Sequence, residues 1–171
     1  MAPTPLERGV AVPAEWIHLP ALQRFICARP ERAEFRGGRR SYHPTPWALD
    51  VQSHLRSLRL PLPPSESLLV DLDEQGEVIA ACHSGYDSDG DVLLVFAIGV
   101  RPDHQGAGLA MNLLSQVIGS VGPGRPDLVA RIDVRNARSQ RLFAGAGFED
   151  TGARSGDDLA LWARSSSDPL G

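Results

Sequence analysis

The stretch from residue 92 to residue 110 constrains the fold more tightly than any other part of the chain. The longest apolar run, Val-Leu-Leu-Val-Phe-Ala-Ile-Gly-Val over residues 92–100, stops at Arg101-Pro102 and passes through Gln105-Gly106-Ala107-Gly108 into Leu109-Ala110 and an amphipathic helix. A strand apolar on both faces belongs inside a sheet that is covered on both sides. A glycine-rich turn carrying such a strand into a helix aims backbone N–H groups and the positive end of the helix dipole at one point, which is how a phosphate is held. Gly106 and Gly108 lack a Cβ, so the backbone can turn tightly and approach an anion, and Ala110 keeps the first helical turn clear. Taken alone, the two glycines serve equally well as a plain strand-to-helix turn.

The elements around this turn narrow the choice. Residues 67–72 and 77–86 flank Asp73-Glu74-Gln75-Gly76, and residues 91–100 follow Asp87-Ser88-Asp89-Gly90, which predicts three strands joined by two hairpin turns. A helix is expected over 108–119, with Leu109, Leu113 and Val117 toward the sheet and Gly122-Pro123-Gly124 as its stop. A strand over 128–134, a helix over 138–146 and a closing antiparallel pair at 148–151 and 158–163 follow. Upstream, residues 15–19 are expected as a short strand, and Pro20 opens a helix through Cys27. Residues 29–44 hold Gly37, Gly38 and Pro44 without periodicity and are expected as a loop. Thr45 is a suitable N-cap and Pro46 a suitable first residue for a helix that puts Trp47, Val51, Leu55 and Leu58 on one face. The expected class is α/β, with a mixed, mostly antiparallel central sheet flanked by helices. Two other phosphate loops are excluded. A Walker loop needs Lys-Ser/Thr where this chain has Leu109-Ala110, and a dinucleotide fingerprint belongs to an early βαβ unit, not to a turn that follows antiparallel hairpins.

At 171 residues the chain has the length of one domain. We expect it over residues 14–164, after a loose lead-in at 1–13 and before a polar tail at 165–171. The net charge is −4 and all 17 basic residues are Arg, scattered along the chain, which argues against broad nucleic-acid binding. Cys27 and Cys82 are too few for a disulfide framework or a zinc site. The N-terminus lacks a signal-peptide core and no apolar run approaches the roughly 20 residues of a membrane helix, so a cytoplasmic protein without a membrane partner is expected. A homodimer is compatible with the sequence.

A second signal lies 26 residues beyond Ala110. Asn136, Ser139 and Phe143 are spaced by three and four, along one helical face, and Gly147-Phe148 closes the helix. Asn136 alone would suit an ordinary N-cap, and Gly147 an ordinary helix stop. In conjunction with the earlier turn, the pattern resembles the acetyl-CoA site of the GNAT N-acetyltransferase superfamily, whose members carry Gln/Arg-x-x-Gly-x-Gly/Ala after the fourth strand, here Gln105, Gly108 and Ala110. The resemblance implies the GNAT acyl-CoA N-acyltransferase fold and acetyl-CoA as co-substrate, with no metal. It implies phosphate contacts from Gln105, Gly106, Ala107, Gly108, Leu109 and Ala110, and pantetheine along Ile98, Gly99 and Val100, with Gly99 at a strand divergence or bulge. It also implies contacts from Asn136, Ser139 and Phe143.

The chain departs from that family at two positions. Phe143 stands where relatives often carry a Tyr that protonates the departing sulfur. Residues 92–100 lack the Glu that many relatives carry on the fourth strand. His83 and Asp91 are therefore the candidate catalytic residues, with Tyr86 and His104 behind them. His83 has a suitable unperturbed pKa, although a lone strand histidine is commonly a structural hydrogen-bonder. The expected activity is direct transfer of acetyl to a primary amine, because neither cysteine shows the partners of a covalent nucleophile. The alternatives are a catalytically weak CoA-binding module acting through a partner protein, and an acetyltransferase of a macromolecular amine.

Overall fold

The computed structural model describes residues 10–29, 43–121, 127–156 and 158–165. Its frame is a seven-stranded sheet in the order β1-β2-β3-β4-β5-β7-β6. The strands are β1 (Val12–Pro13), β2 (Glu66–Leu72), β3 (Val78–Tyr86), β4 (Val92–Val100), β5 (Asp127–Asp133), β6 (Glu149–Ser155) and β7 (Leu159–Arg164), and the helices are α1 (Leu19–Gln23), α2 (Pro46–Ser57), α3 (Leu109–Ser120) and α4 (Ala137–Gly145). Only β4 and β5 run parallel; every other pairing is antiparallel.

Both hairpins form for local reasons. The Asp73 carboxylate accepts the amides of Gln75 and Glu77, and that of Asp87 accepts the amides of Asp91 and Val92. Gly76 and Gly90 supply the positive φ each turn requires, 78° and 73°. Asp91 is therefore an exposed turn residue at the start of β4.

Helices cover both faces of the sheet. On one side α3 and α4 bury Leu113, Leu114, Val117 and Phe143 against Leu93, Val95, Leu128 and Ile132. On the other, Leu22, Phe25 and Leu55 from the α1–α2 region pack on Leu68, Val70, Val78 and Ala97. The side chains of α2 also dock the segment after α1: Gln52 Oε1 accepts the amides of Cys27 and Ala28, and Arg56 donates to the Phe25 carbonyl.

The N-terminal region differs from the sequence expectation. Residues 16–18 form a 3-10 turn leading into α1, which ends at Gln23, and the sheet begins earlier, where Val12 and Pro13 pair with Val70 and Leu69. Two residues containing a proline carry no alternation, so nothing in the local sequence marks them as an edge strand. Most of the expected loop at 29–44 and the Gly122-Pro123-Gly124 stop lie outside the described residues.

Two features open the sheet at one level. The β4–β5 pairing runs only from Val92↔Asp127 to Val95↔Ala130, after which the strands diverge. At the next residue the register with β3 breaks: His83 opposes Ala97 and Ser84 opposes Val95, leaving Phe96 as the extra residue of a bulge. The bulge places Ala97 and Gly99 toward α2, and Ile98 and Val100 toward α3. The expected divergence of the sheet is present, and Phe96 marks it. Gly99 lies in the regular ladder opposite Ala81. Its lack of a side chain serves packing, since a Cβ there would stand 3.1 to 3.2 Å from Phe25, Cys27 and Val51.

Candidate active site

The diverging ends of β4 and β5 border a cavity of about 1140 Å³. Its wall along β4 is Ile98, Gly99 and Val100. On that side β4 has no strand neighbour beyond Val95, so the backbone groups of Ile98 and Val100 that point away from β3 have no ladder partner, and only the Val100 carbonyl is met there, by the side chain of Gln105. Backbone donors and acceptors buried without partners cost about 1–3 kcal/mol each, so such an edge suits a ligand that carries amides.

At the top of the wall the chain turns through Gln105, Gly106 and Gly108 to Leu109 and Ala110, all on the cavity. Gly106 and Gly108 have φ of 85° and 82°, values that L side chains rarely adopt, and a Cβ at either would meet nothing within 4 Å. Backbone conformation, not crowding, demands glycine here. Gly108 is the N-cap residue of α3, which leaves the first amides of the helix directed out of its N-terminus. Ala107 is exposed and lies off the cavity wall.

The opposite wall is the start of α4. Asn136 and Ser139 both line the cavity, and Oδ1 of Asn136 accepts the Ser139 amide at 3.0 Å. Asn136 is thus an N-cap, and its NH2 group is not used by the cap. The two walls are tied across the turn, because Gln105 donates to the Val100 carbonyl while its Oε1 accepts from Arg138 on the first turn of α4. That places the exposed Arg138 guanidinium beside the glycine turn, a cationic contribution the sequence reading missed.

Phe143 does not reach this wall. It is 2% exposed and packs edge-on against Phe148, ring centroids 5.0 Å apart, in the α3–α4 core. Leu142 lines the cavity instead. Residues seven apart lie about 20° short of two full turns, and on the nine-residue α4 that offset, with the edge-on contact to Phe148, leaves 143 facing the core.

The side facing α2 is formed by Cys27, Trp47, Ala48 and Val51. Above it, Arg135 from the β5–α4 turn places its guanidinium 5.5 Å from the Trp47 ring centroid. Asp133, at 2.7 and 2.9 Å, and Asp158, at 3.7 Å, hold that guanidinium in place. Burial pushes the Cys27 thiol up to about 12, and its Sγ donates to the Ala48 carbonyl. Cys82 is fully buried and likewise raised to about 12. Neither is a thiolate near neutral pH.

Of the two candidate catalytic residues, Asp91 sits at the far end of β4 from the cavity, in the hairpin turn. His83 is 3% exposed beside the bulge, with both ring nitrogens engaged: Nε2 lies 3.0 Å from Glu66 Oε2 and Nδ1 2.8 Å from His54 Nε2. Nothing in the sequence alone singles out Glu66 or His54. His104 lines the cavity beside Asp103, and Tyr86 packs at the edge of the α3-side core.

The family model for the acetyltransferase (GNAT) domain matches residues 11–149. The chain belongs to the GNAT acetyltransferase family. The fold accordingly has solved counterparts. An acetyltransferase from Thermus thermophilus superposes with a TM-score of 0.62 at 21% identity, covering 90% of this chain and 94% of that one. A chimera of the Vibrio cholerae spermidine N-acetyltransferase SpeG and hSSAT gives 0.60 at 16%, covering 92% and 95%. Nourseothricin acetyltransferase gives 0.50 at 19%, covering 63% and 69%. No curated protein matches the sequence. In this N-acetyltransferase the open edge of β4, the glycine turn and the start of α4 are three sides of one cavity, and no described helix is long and apolar enough to cross a membrane.

Proposed function

We propose that this enzyme transfers the acetyl group of acetyl-CoA directly to the primary amine of a small molecule. The observation that carries this reading is the unpaired edge of β4 opening onto the same cavity as the Gly106–Gly108 turn and the N-terminus of α3. The residues fit the co-substrate. The amides from 106 to 110 and the Arg138 guanidinium suit a pyrophosphate, and the β4 edge at Ile98, Gly99 and Val100 suits the amides of pantetheine. Ala107 contributes through its backbone, and Asn136 and Ser139 meet the chain from the α4 side. When bound, acetyl-CoA supplies an activated acyl carbon with a thiol leaving group.

The protein's own part is to hold the acceptor nitrogen against that carbon, to present a backbone N–H at the sheet divergence where negative charge develops on the carbonyl oxygen, and to take up a proton. Direct attack is supported by the two buried, protonated thiols, which leave no cysteine able to carry the acyl group. A small acceptor is supported by the way Trp47 and the Arg135 guanidinium held over its ring wall the α2 side of the cavity. Spermidine and nourseothricin, the compounds named for two structural neighbours, point the same way.

The test is a turnover screen with free-thiol detection across polyamines, amino acids, aminoglycoside-like amines, peptides and charged tRNA, with acetyl-CoA binding followed by calorimetry. Turnover confined to small amines is expected. Tight binding without turnover of any acceptor would identify a CoA-binding module instead, and turnover of peptide or tRNA alone would move the acceptor to a macromolecule.

A further inference from the structure

Glu66 on β2, His83 on β3 and His54 on α2 form a linear chain of hydrogen bonds on the α2 face of the sheet, of 3.0 and 2.8 Å. It stands where the sheet opens. Phe96, the bulge residue, packs on His83 with centroids 4.9 Å apart and on His54 at 6.4 Å. Gly85 makes this possible, since a Cβ there would stand 2.8 Å from the Phe96 ring and 2.9 Å from Cγ of Glu66. Val51 lines the cavity, and His54, three residues or about one helical turn further along α2, stands just beyond that lining.

The order of donors fixes the tautomers. An ionised carboxylate only accepts, so Nε2 of His83 carries hydrogen and donates to Glu66. Neutral His83 is then bare at Nδ1 and must accept, so Nε2 of His54 carries hydrogen. The lone pair left over is on Nδ1 of His54, which has no partner among the described residues. The nitrogens follow one another in line and do not converge as metal ligands would. Burial lowers both imidazoles below the ordinary histidine range, with His83 adding to the effect on His54 and Glu66 opposing it on both. Both rings are therefore neutral near pH 7, the state a base needs. The other charged groups on α2 near His54 are Asp50, one turn before it, and Arg56, whose Nε is committed to the Phe25 carbonyl; β4 presents only the uncharged ring of Phe96.

We propose that His54 is the catalytic base of this acetyltransferase, and that His83 and Glu66 are positioning residues that set its tautomer and stabilise the charge it gains. The assignment rests on the acetyl-transfer reading above. As the amine nitrogen bonds to the acetyl carbon and the carbon–sulfur bond breaks with its pair on sulfur, one proton passes from nitrogen to Nδ1 of His54. The imidazolium then donates through Nε2 to His83, whose own Nε2–H points at the Glu66 carboxylate. His83 cannot take the proton itself, because neither of its nitrogens is open to the acceptor.

Two measurements test this. Nitrogen NMR of the imidazoles in the ligand-free enzyme at neutral pH is expected to show His54 bare at Nδ1 and protonated at Nε2; a proton on Nδ1 would overturn the proposal whether or not any amine is turned over. In kinetics with a small primary amine, log kcat/KM is expected to show an acid limb below about 6.5, the unperturbed histidine value. Glu66→Gln should move that limb to still lower pH by removing the charge that favours the imidazolium. His54→Gln should abolish the limb and lower kcat/KM about 10²-fold or more while acetyl-CoA binding persists. An unmoved limb in Glu66→Gln, or undiminished kcat/KM in folded His54→Gln, would refute the relay while leaving the acetyl-transfer reading intact. Absence of turnover in the parent enzyme would count against that reading, with the tautomer still decided by NMR.

Discussion

Phe143 tests how α4 is seated. Its ring is 2% exposed and meets Phe148 edge-on at 86°. Truncating a buried aromatic to Ala costs about 3–5 kcal/mol, and a domain of this size loses about 2–4 °C of Tm per kcal/mol, so Phe143→Ala should melt roughly 6–20 °C lower. Phe143→Tyr adds a hydroxyl to a ring surrounded by an apolar cluster. Burying that oxygen without a partner costs about 1–3 kcal/mol, or about 2–12 °C. Thermal melts without ligand read both values. Calorimetry with acetyl-CoA below the melting range should show affinity less changed in Phe143→Tyr than in Leu142→Ala, because Leu142 forms the wall. If Phe143→Tyr melts within about 1 °C of the parent and raises kcat, the ring faces the cavity and the placement of α4 given above is refuted.

Gly108→Glu should abolish the heat of acetyl-CoA binding yet leave the far-UV spectrum intact: the left-handed backbone at 82° costs a side chain about 1–2 kcal/mol, and the added carboxylate stands where the phosphates are expected. Retained binding would remove the phosphate assignment. Gly99→Ala should lower the urea midpoint by an amount equivalent to about 1–3 kcal/mol, because the methyl crowds Phe25, Cys27 and Val51 at 3.1 to 3.2 Å, and it should raise KM for the amine more than for acetyl-CoA. Equal effects on both KM values would count against an acceptor bound on the side of the cavity that Trp47 and Val51 form. Stability should also fall on acidification from about pH 6.5. His54 and His83 have lower pKa values folded than unfolded, so below that pH the unfolded chain binds more protons, and the stability present above it is lost as pH falls through the folded values. Urea midpoints between about pH 5 and 7.5 should show this slope, and His54→Gln should flatten it.

The parts of the fold that can be read in the sequence are those set by neighbours along the chain. Asp73 with Gly76 and Asp87 with Gly90 close their turns through side-chain bonds that reach no more than five positions along the chain. Gln105, Gly106 and Gly108 declare a strand-to-helix turn, and Asn136 caps α4 through a residue three positions on. The bulge at Phe96 leaves no such trace. Residues 92–100 are apolar throughout, so only the competing pull of α2 and α3 on opposite faces decides where the register breaks. The hydrogen-bonded chain is illegible for a similar reason: Glu66, His83 and His54 stand 17 and 29 positions apart and meet only when β2, β3 and α2 are assembled. The chemistry of His83 draws attention to it in the sequence, but what occupies its two nitrogens is tertiary information. Phe143 is misplaced by the small angular difference between seven residues and two turns, which a nine-residue helix can resolve either way.

Trp47, Val51 and His54 recur at helical spacing along one stripe of α2, and each answers to a different neighbour: Arg135 above, Gly99 in the wall, His83 below. A rigid rod with three fixed bearings cannot be shifted at one of them alone. A substitution that slides α2 outward to admit a bulkier acceptor draws His54 off His83 in the same movement, and one that tightens the Arg135 contact presses Val51 onto Gly99. With the acceptor bound on the α2 side and its proton taken by His54, as proposed, the width of that space and the proton path are geared together, so that a change in acceptor preference achieved through α2 should carry a change in pH profile with it, whereas one achieved from the α4 wall should not.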